Sequence, residues 1–265
     1  AKIKVAHWTE ALRLLGEMHQ KGFPPNVFNY SCAINRCAKG GESQRALDLL
    51  EEMRSRGLVP NEITYNSVIN ACAKGGRCQR ALNLLDEMRK YGLVPNEITY
   101  SSVINACANG DEWQRALNLL EEMRRCGLVP NEITYSSVIN ACAKGDQWQR
   151  ALDLLDEMRR CGMAPNVITY NSVINACAKG DQWQRALDLL EEMRRCGMAP
   201  NEITYNSVIN ACAMGDQWQR ALSLLDEMRS RGLVPDVITY NSVLNACAEG
   251  DQWQRALDLL DEMRS

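Results

Sequence analysis

The chain has 265 residues, of which 46% are hydrophobic and 24% are charged, a balance typical of a folded helical protein rather than a disordered one. Its formal net charge of −3 excludes a polycation that binds nucleic acid by charge alone. The apolar runs are a few residues long, whereas a transmembrane helix needs about 20, so the sequence predicts a soluble protein without a membrane partner.

A tyrosine recurs every 35 residues without insertions. The series is Tyr30, Tyr65, Tyr100, Tyr135, Tyr170, Tyr205 and Tyr240. Beginning each unit three residues before its tyrosine defines six complete repeats: 27–61, 62–96, 97–131, 132–166, 167–201 and 202–236. Residues 1–26 and 237–265 are partial repeats, so we predict a single array over 1–265. Positions within a repeat are numbered 1 to 35 below, and the tyrosine is position 4.

Each repeat contains two helical patterns. Positions 2 to 13 carry apolar residues at 4, 7, 8 and 11, which predicts an amphipathic helix, helix A, whose positions 2, 5, 9 and 13 share a second, mixed polar face. Positions 17 to 30 predict helix B, with Leu155 on its apolar side and Asp153 and Arg159 on a solvated back. One hairpin cannot bury its own apolar face. We therefore predict an all-α fold, an α-solenoid superhelix of 35-residue helix-turn-helix repeats.

The turns carry recognisable boundary residues. Gly145 is predicted to end helix A, and Asp146 with Gln149 has the spacing of a capping box at the start of helix B. Gly162 and Pro165 then end helix B. A tryptophan at position 17 is predicted to pack helix B rather than to stack on a ligand. These tryptophans are Trp113, Trp148, Trp183, Trp218 and Trp253.

Seven of the twelve cysteines recur at position 11: Cys37, Cys72, Cys107, Cys142, Cys177, Cys212 and Cys247. Equivalent positions of stacked repeats are predicted to be buried free thiols rather than disulfide partners, as in a reducing compartment. No cysteine pair has C-x-x-C spacing, and both histidines lie in the first partial repeat. We therefore predict neither a metal site nor a cofactor.

One run of residues carries a family resemblance: Ile63-Thr64-Tyr65-Asn66-Ser67-Val68-Ile69, then Ala81-Leu82, Glu87-Met88, Gly92 and Pro95-Asn96. This pattern, with its period of 35 rather than 34, resembles pentatricopeptide repeats of the P class along the whole chain. The resemblance implies a non-catalytic protein that binds single-stranded RNA, one nucleotide per repeat, from 5′ to 3′. The near identity of the repeats is typical of a scaffold whose reading residues vary, of recent duplication, and of consensus design.

The resemblance implies that positions 5 and 35 read each base. The pairs are Ser31 with Asn61, Asn66 with Asn96, Ser101 with Asn131, Ser136 with Asn166, Asn171 with Asn201, and Asn206 with Asp236; Asn241 belongs to an incomplete pair. An Asn amide at position 35 can donate to the ring nitrogen of adenine or cytosine, whereas Asp can only accept, from guanine or uracil. Ser at position 5 leaves room for a purine, and Asn suits a pyrimidine. The predicted target is 5′-A-(C/U)-A-A-(C/U)-U-3′, with cytosine favoured at the ambiguous letters.

Two further positions have implied roles. Position 2 residues of successive repeats would sandwich a base: Phe28, Ile63, Ile98, Ile133, Ile168, Ile203 and Ile238. Lysines at position 13 would approach phosphates: Lys39, Lys74, Lys144 and Lys179. Asn109, Met214 and Glu249 depart from this lysine pattern, so phosphate attraction should fade toward the carboxyl end. The structural alternatives are core residues at position 2, and ordinary cap or turn residues at positions 5 and 35.

The alternative function is a protein-binding helical scaffold, a subunit of an organellar ribonucleoprotein or of another assembly. Nothing in these residues offers a nucleophile with a base, a paired acid set or a phosphate loop, so no small-molecule substrate is expected. RNA processing in a mitochondrion or chloroplast is implied by the resemblance alone. We expect any targeting segment to lie outside these residues.

Overall fold

A computed structural model describes the backbone of residues 2–264 and the side chains of residues 8–261. Over this range the secondary structure consists of helices without strands. The helices are α1 Lys2–Gln20, α2 Val27–Gly40, α3 Ser43–Ser55, α4 Glu62–Lys74, α5 Cys78–Lys90, α6 Glu97–Asn109, α7 Trp113–Arg125, α8 Glu132–Lys144, α9 Trp148–Arg160, α10 Val167–Lys179, α11 Trp183–Arg195, α12 Glu202–Met214, α13 Trp218–Ser230, α14 Val237–Glu249 and α15 Trp253–Arg264. No helix among the described residues combines the length and apolar character that crossing a membrane requires.

The chain divides into two compact units, residues 1–141 and 142–265. In the first unit, α2 packs on α4 and α4 on α6, and each of these A helices also packs on the B helix of its own repeat. In the second unit, α10 packs on α12 and α12 on α14 in the same way. Each unit is therefore a stack of helical hairpins, the all-α solenoid arrangement that the repeat pattern predicts.

The core follows the predicted apolar stripe of helix A. In repeat 62–96, Tyr65, Val68, Ile69 and Cys72 have no exposed surface. Met88 of helix B is equally buried. Full burial of an apolar side chain such as Val68, Ile69 or Met88 stabilises the fold by roughly 1.5–3 kcal/mol.

One charged position departs from the predicted solvated back of helix B. The guanidinium of Arg159 lies over the ring of Tyr170 in the next repeat, 5.6 Å from its centroid, and its Nη2 donates to the phenol oxygen at 3.1 Å. The Tyr170 hydroxyl donates to Glu192 Oε1 at 2.8 Å, and Arg159 also pairs with Glu192. The predicted solvated position of Arg159 is wrong, because its side chain crosses the seam between repeats and pairs a largely buried phenol.

The turn between helices A and B also corrects a prediction. Asp146 has a φ of 56° and follows the end of α8, so it is not the N-cap of α9. That N-cap is Gln147, whose backbone N–H donates to the Cys142 carbonyl and whose side chain makes no capping bond. The predicted capping box is therefore wrong. Aspartate tolerates the left-handed region better than most residues, and the equivalents with φ of 53–59° are Asp111, Asp181, Asp216 and Asp251.

Tryptophans at position 17 pack between repeats, as predicted for Trp148, Trp183 and Trp218, whereas the predicted packing of Trp253 is wrong, because this side chain in the last partial repeat is 69% exposed. The indole of Trp148 lies so close to Gly180, in the next helix A, that a Cβ on that glycine would overlap it. Trp183 has the same relation to Gly215. Glycine at position 14 is therefore required by the close approach of a neighbouring side chain.

Repeat 62–96 has Cys78 at this position, where most repeats have tryptophan. Cys78 forms a disulfide with Cys107 of the following repeat, and the two Cα atoms are 4.5 Å apart. The expectation of a free thiol at Cys107 is therefore wrong, because cysteine instead of tryptophan at position 17 places the sulfur of Cys78 beside that of Cys107. The remaining position 11 cysteines are not disulfide-bonded and are buried: Cys37, Cys72, Cys142, Cys177, Cys212 and Cys247.

Candidate functional site

The first turn of each helix A exposes a large apolar side chain at position 2. These residues are 62–73% exposed: Phe28, Ile63, Ile98, Ile133, Ile168, Ile203 and Ile238. A β-branched or aromatic side chain so exposed at the same place in every repeat is not a core residue. The geometry leaves this row available for contact with a ligand.

Position 35 is the N-cap of the following helix A. Asn61 Oδ1 accepts from the backbone N–H of Thr64 at 3.0 Å, and Thr64 Oγ1 accepts from the Asn61 N–H at 3.4 Å. The same reciprocal box forms at Asn96, Asn201 and Asp236. The capping alternative therefore describes these residues correctly, and the capping box lies at helix A rather than helix B.

Capping has a consequence for the polarity of the exposed side. Because the helix terminus offers a donor, the amide oxygen of Asn61 must face it, and Nδ2, on the opposite side of the Cβ–Cγ bond, then points away from the helix terminus. Asn61 is exposed, so this side of the amide reaches solvent. One carboxylate oxygen of Asp236, Oδ1, likewise accepts from the backbone N–H of Thr239. An asparagine here thus presents a donor, and an aspartate presents an acceptor.

The resemblance pairs residues 30 apart, and the fold brings them together. Asn171 Nδ2 donates to Asn201 Oδ1 at 3.2 Å, and Asn206 Nδ2 donates to Asp236 Oδ1 at 3.2 Å. Three further pairs meet through a shared threonine hydroxyl: Ser31 with Asn61, Asn66 with Asn96, and Ser101 with Asn131. Five of the predicted pairs are therefore each one local cluster.

The size of the position 5 residue changes the shape of this cluster. Ser31 and Ser101 are only 7% and 9% exposed, and they lie below the exposed amides of Asn61 and Asn131. Asn66 and Asn171 are half-buried, and so are their partners at position 35, Asn96 and Asn201. The serines at position 5 are thus almost fully buried, whereas the longer asparagines at this position keep part of their surface exposed.

In the first complete repeat these features line one open groove of about 340 Å³. Phe28 and Ile63, the position 2 residues of two successive repeats, border it, and Ser31 and Asn61 lie between them. This volume is within the range of small-ligand sites, roughly 300–1,000 Å³. A flat ring system fits the chemistry of the groove, with apolar walls and hydrogen-bonding groups between them.

The four lysines of position 13 are exposed: Lys39, Lys74, Lys144 and Lys179. Lys179 Nζ lies 2.9 Å from a carboxylate oxygen of Asp146, in the turn of the preceding repeat. An exposed pair of this kind contributes about 0–1 kcal/mol, so the lysine can exchange partners. Farther along the second unit the position holds the exposed residues Met214 and Glu249, and the positive charge disappears.

Sequence reasoning missed a third member of each cluster, the threonine at position 3. These residues have no exposed surface: Thr64, Thr99, Thr134, Thr169, Thr204 and Thr239. Each is the third residue after an Asn or Asp, and that capping-box spacing was the signal that could have identified it.

The charge of Asp236 is stabilised by its cap. The backbone N–H of Thr239 donates to its carboxylate and holds the pKa of Asp236 below its ordinary value. The carboxylate is therefore ionised at neutral pH. Among the described side chains, no cluster of His, Cys, Asp and Glu has an arrangement that could hold a metal ion.

Comparison with known proteins identifies the repeat. The model of the PPR repeat family matches residues 25–74, 62–109, 165–214 and 203–249. A pentatricopeptide repeat domain model matches 118–180, and a PPR repeat model matches 98–128 and 238–265. A comparison with curated proteins found no match.

Several solved structures share the fold. The pentatricopeptide repeat protein PPR10 in complex with an 18-nucleotide psaJ RNA element is 22% identical, with a TM-score of 0.64, over 96% of this chain and 42% of that one. PPR10 from maize is 26% identical, with a TM-score of 0.55, over 98% and 47%. The PPR domain of Arabidopsis thaliana protein-only RNase P 1, in complex with tRNA, is 18% identical, with a TM-score of 0.59, over 71% and 95%.

This chain spans less than half the length of PPR10, so the comparison concerns the repeats alone. The matched ranges of the repeat models together cover most of the 265 residues. The chain belongs to the pentatricopeptide repeat family.

Proposed function

We propose that this chain binds single-stranded RNA sequence-selectively, one nucleotide per complete repeat, without catalysis by these residues. The observation that carries the proposal is the groove between Phe28 and Ile63, in which the capped amide of Asn61 lies beside Ser31. Related proteins of the same fold were solved with an RNA element and with tRNA, which supports an RNA ligand.

Polarity is read by position 35. The capped Asn61 donates from Nδ2 and suits the ring-nitrogen acceptor of adenine or cytosine. Asp236 is ionised and can only accept, which suits the ring N–H of guanine or uracil. The cap holds both side chains in the required orientation before RNA arrives, so little conformational entropy is lost on binding.

Size is read by position 5. The short, buried side chains of Ser31 and Ser101 leave space for a purine, and the larger Asn171 and Asn206 restrict the site to a pyrimidine. Reading the repeats as one array from residue 1 to 265 gives 5′-A-(C/U)-A-A-(C/U)-U-3′, with cytosine favoured at the ambiguous letters. The organelle, mitochondrion or chloroplast, stays a prediction from the family resemblance.

The alternative is a protein-binding scaffold, for which the net charge of −3 is the main argument. The periodic amide clusters favour RNA, because their spacing of one per repeat matches one base per repeat. The surface of a folded protein partner would not offer similar polar groups at this regular spacing.

The test is fluorescence anisotropy at one fixed salt concentration with three labelled strands: ACAACU RNA, a scrambled RNA of the same composition, and the matching DNA. We expect the predicted RNA to bind at least about tenfold more tightly than the scrambled strand, since one good side-chain pair to a base contributes roughly 1–3 kcal/mol. Equal affinity for the predicted and scrambled RNAs would overturn sequence-selective reading. Binding of none of the strands would leave the scaffold function as the better account.

A further inference from the structure

The clusters at positions 5 and 35 are completed by a threonine from the following repeat. Thr204 Oγ1 donates to Asn171 Oδ1 at 2.7 Å, and the Thr204 backbone N–H donates to Asn201 Oδ1 at 3.1 Å. Thr239 makes the same bonds to Asn206, at 2.6 Å, and to Asp236, at 2.9 Å. One buried residue thus holds both members of a pair, through two different groups.

The hydroxyl of Thr204 also lies 3.0 Å from Asn201 Oδ1 and accepts from the Asn201 backbone N–H at 3.1 Å, but Asn201 keeps its bond to the Thr204 backbone N–H when the hydroxyl is removed, whereas Asn171 has no second bond to Thr204. The backbone N–H anchors Asn201 whatever the side chain at 204, because every residue except proline has this donor. The hydroxyl anchors Asn171: with Oδ1 held by Thr204, the Nδ2 of Asn171 faces Asn201 Oδ1. If the Asn171 amide rotated by half a turn, its oxygen would face the oxygen of Asn201 and the second bond would be lost.

Without the hydroxyl, therefore, Asn171 would lose one of the two bonds that keep its side chain over the site and would retain only its bond to Asn201 Oδ1. Asn171 is half-buried, and a side chain of this length held by one bond has other rotamers that expose it to water. The space that it fills would then open to a larger base.

The serine-containing clusters differ in this respect. Ser101 Oγ lies 2.7 Å from Thr134 Oγ1, and Thr134 also bonds to Asn131 Oδ1 at 3.0 Å. Serine is too short to cover the site in any rotamer, so its hydrogen bond does not control the open space. The threonine hydroxyl matters for size only where position 5 is asparagine.

We propose that the position 3 threonine of each repeat is a positioning residue for the base read by the preceding repeat. Its hydroxyl holds an asparagine at position 5 over the site and thereby excludes purines, and its backbone N–H sets the polarity of position 35. This inference rests on the proposed function. Each base would then be read by a unit of three residues from two repeats: Asn171 and Asn201 belong to one repeat, and Thr204 belongs to the next.

The experiment compares the wild type with Thr204→Val and Thr204→Ser, using RNAs that carry A, C or U at the fifth nucleotide. Cytosine and adenine share a ring-nitrogen acceptor and differ in size, whereas cytosine and uracil share their size and differ in polarity. We expect Thr204→Val to reduce the preference for C over A at least about threefold and to leave the ratio of C to U unchanged. Thr204→Ser should restore the preference for C over A.

The matched control is Thr134→Val, which removes an equally buried hydroxyl beside a serine. It should leave base preference at the third nucleotide unchanged, and thermal unfolding by circular dichroism should show similar melting temperatures for both valine variants. A second variant in another repeat, Thr99→Val, should repeat the effect at the second nucleotide, because Thr99 Oγ1 donates to Asn66 Oδ1 at 2.7 Å.

The outcomes separate the inference from the function beneath it. A wild type that discriminates at no nucleotide overturns both. A wild type that discriminates, with Thr204→Val retaining its full preference for C over A, overturns the positioning role alone. Equal loss of preference at every nucleotide would also overturn it, because the hydroxyl would then act through the fold and not through Asn171.

Discussion

The side-chain nitrogen of Asn171 lies 3.2 Å from Oδ1 of Asn201, although the two residues are 30 apart in the chain. This bond joins the beginning of one helix A to the N-cap of the next. It also unites in one cluster the two residues to which base reading is assigned, and their chemistry can be changed one at a time.

The first prediction concerns the polarity of position 35 at Asn61. Asn61→Asp keeps an oxygen to cap α4, so stability should change by less than about 0.5 kcal/mol, since Asp and Asn are comparable N-caps. The preference at the first nucleotide should move from A to G by roughly 1–3 kcal/mol, because a carboxylate accepts from guanine N–H and repels the lone pair of adenine. Affinities for four RNAs differing at this nucleotide measure the change.

Asn131→Asp is the matched control for that variant, since it should move the preference at the third nucleotide only. A uniform loss of affinity for all four RNAs would show instead that Asn61 serves the fold alone.

A second prediction concerns the apolar row at position 2. Ile203 is 63% exposed, so Ile203→Ala should leave the melting temperature nearly unchanged while weakening RNA binding by about 1 kcal/mol through lost apolar contact. Val94→Ala is the control, because Val94 is 73% exposed but lies in the loop between α5 and α6. Similar effects of the two variants in the anisotropy assay would contradict a base contact at position 2.

The third prediction concerns salt. With four lysines at position 13, the slope of log affinity against log salt should not exceed a magnitude of about 3, since each phosphate on a single strand contributes roughly 0.7. A slope steeper than about −5 would mean that other charges dominate.

The ion pair of Lys179 gives a related prediction. Asp146→Asn should release Lys179 from its ion pair and strengthen binding more than Asp181→Asn does, because Met214 stands at position 13 of the repeat after Asp181.

A fourth prediction tests the packing of Trp148 of one repeat against Gly180 of the next. Gly180→Ala should destabilise the protein by roughly 1–3 kcal/mol, because the added Cβ overlaps the indole of Trp148. The Trp148→Ala background removes that overlap, so the alanine at 180 should cost less there than in the wild type. Urea unfolding followed by circular dichroism gives the four midpoints, and additive effects would argue against the contact.

The fifth prediction concerns pH at the sixth nucleotide. The cap lowers the pKa of Asp236 from its ordinary value of 3.8, so the carboxylate stays charged until the pH falls below that value. The preference for U over C at this nucleotide should therefore be constant between pH 7.5 and pH 5.5, as read by anisotropy. A preference that declines within this window would place the titrating group elsewhere.

The sequence by itself determined the helices and the core. Period and apolar spacing are local properties, so the burial of Tyr65 and Ile69 and the bounds of helices A and B follow from them closely. The pairs at positions 5 and 35 came from the resemblance, and the structure brings the members of five of these pairs together.

Only the tertiary structure decided what joins one repeat to the next. The place of Arg159 over Tyr170, the disulfide of Cys78 with Cys107 and the bond from Thr204 to Asn171 all connect different repeats. Such contacts depend on how two hairpins stack, which a pattern within one hairpin does not specify. The left-handed Asp146 was missed for a related reason: a capping-box spacing identifies a candidate acceptor, but the backbone bond from Gln147 to Cys142 and the positive φ of Asp146 place the N-cap of helix B one residue later, at Gln147.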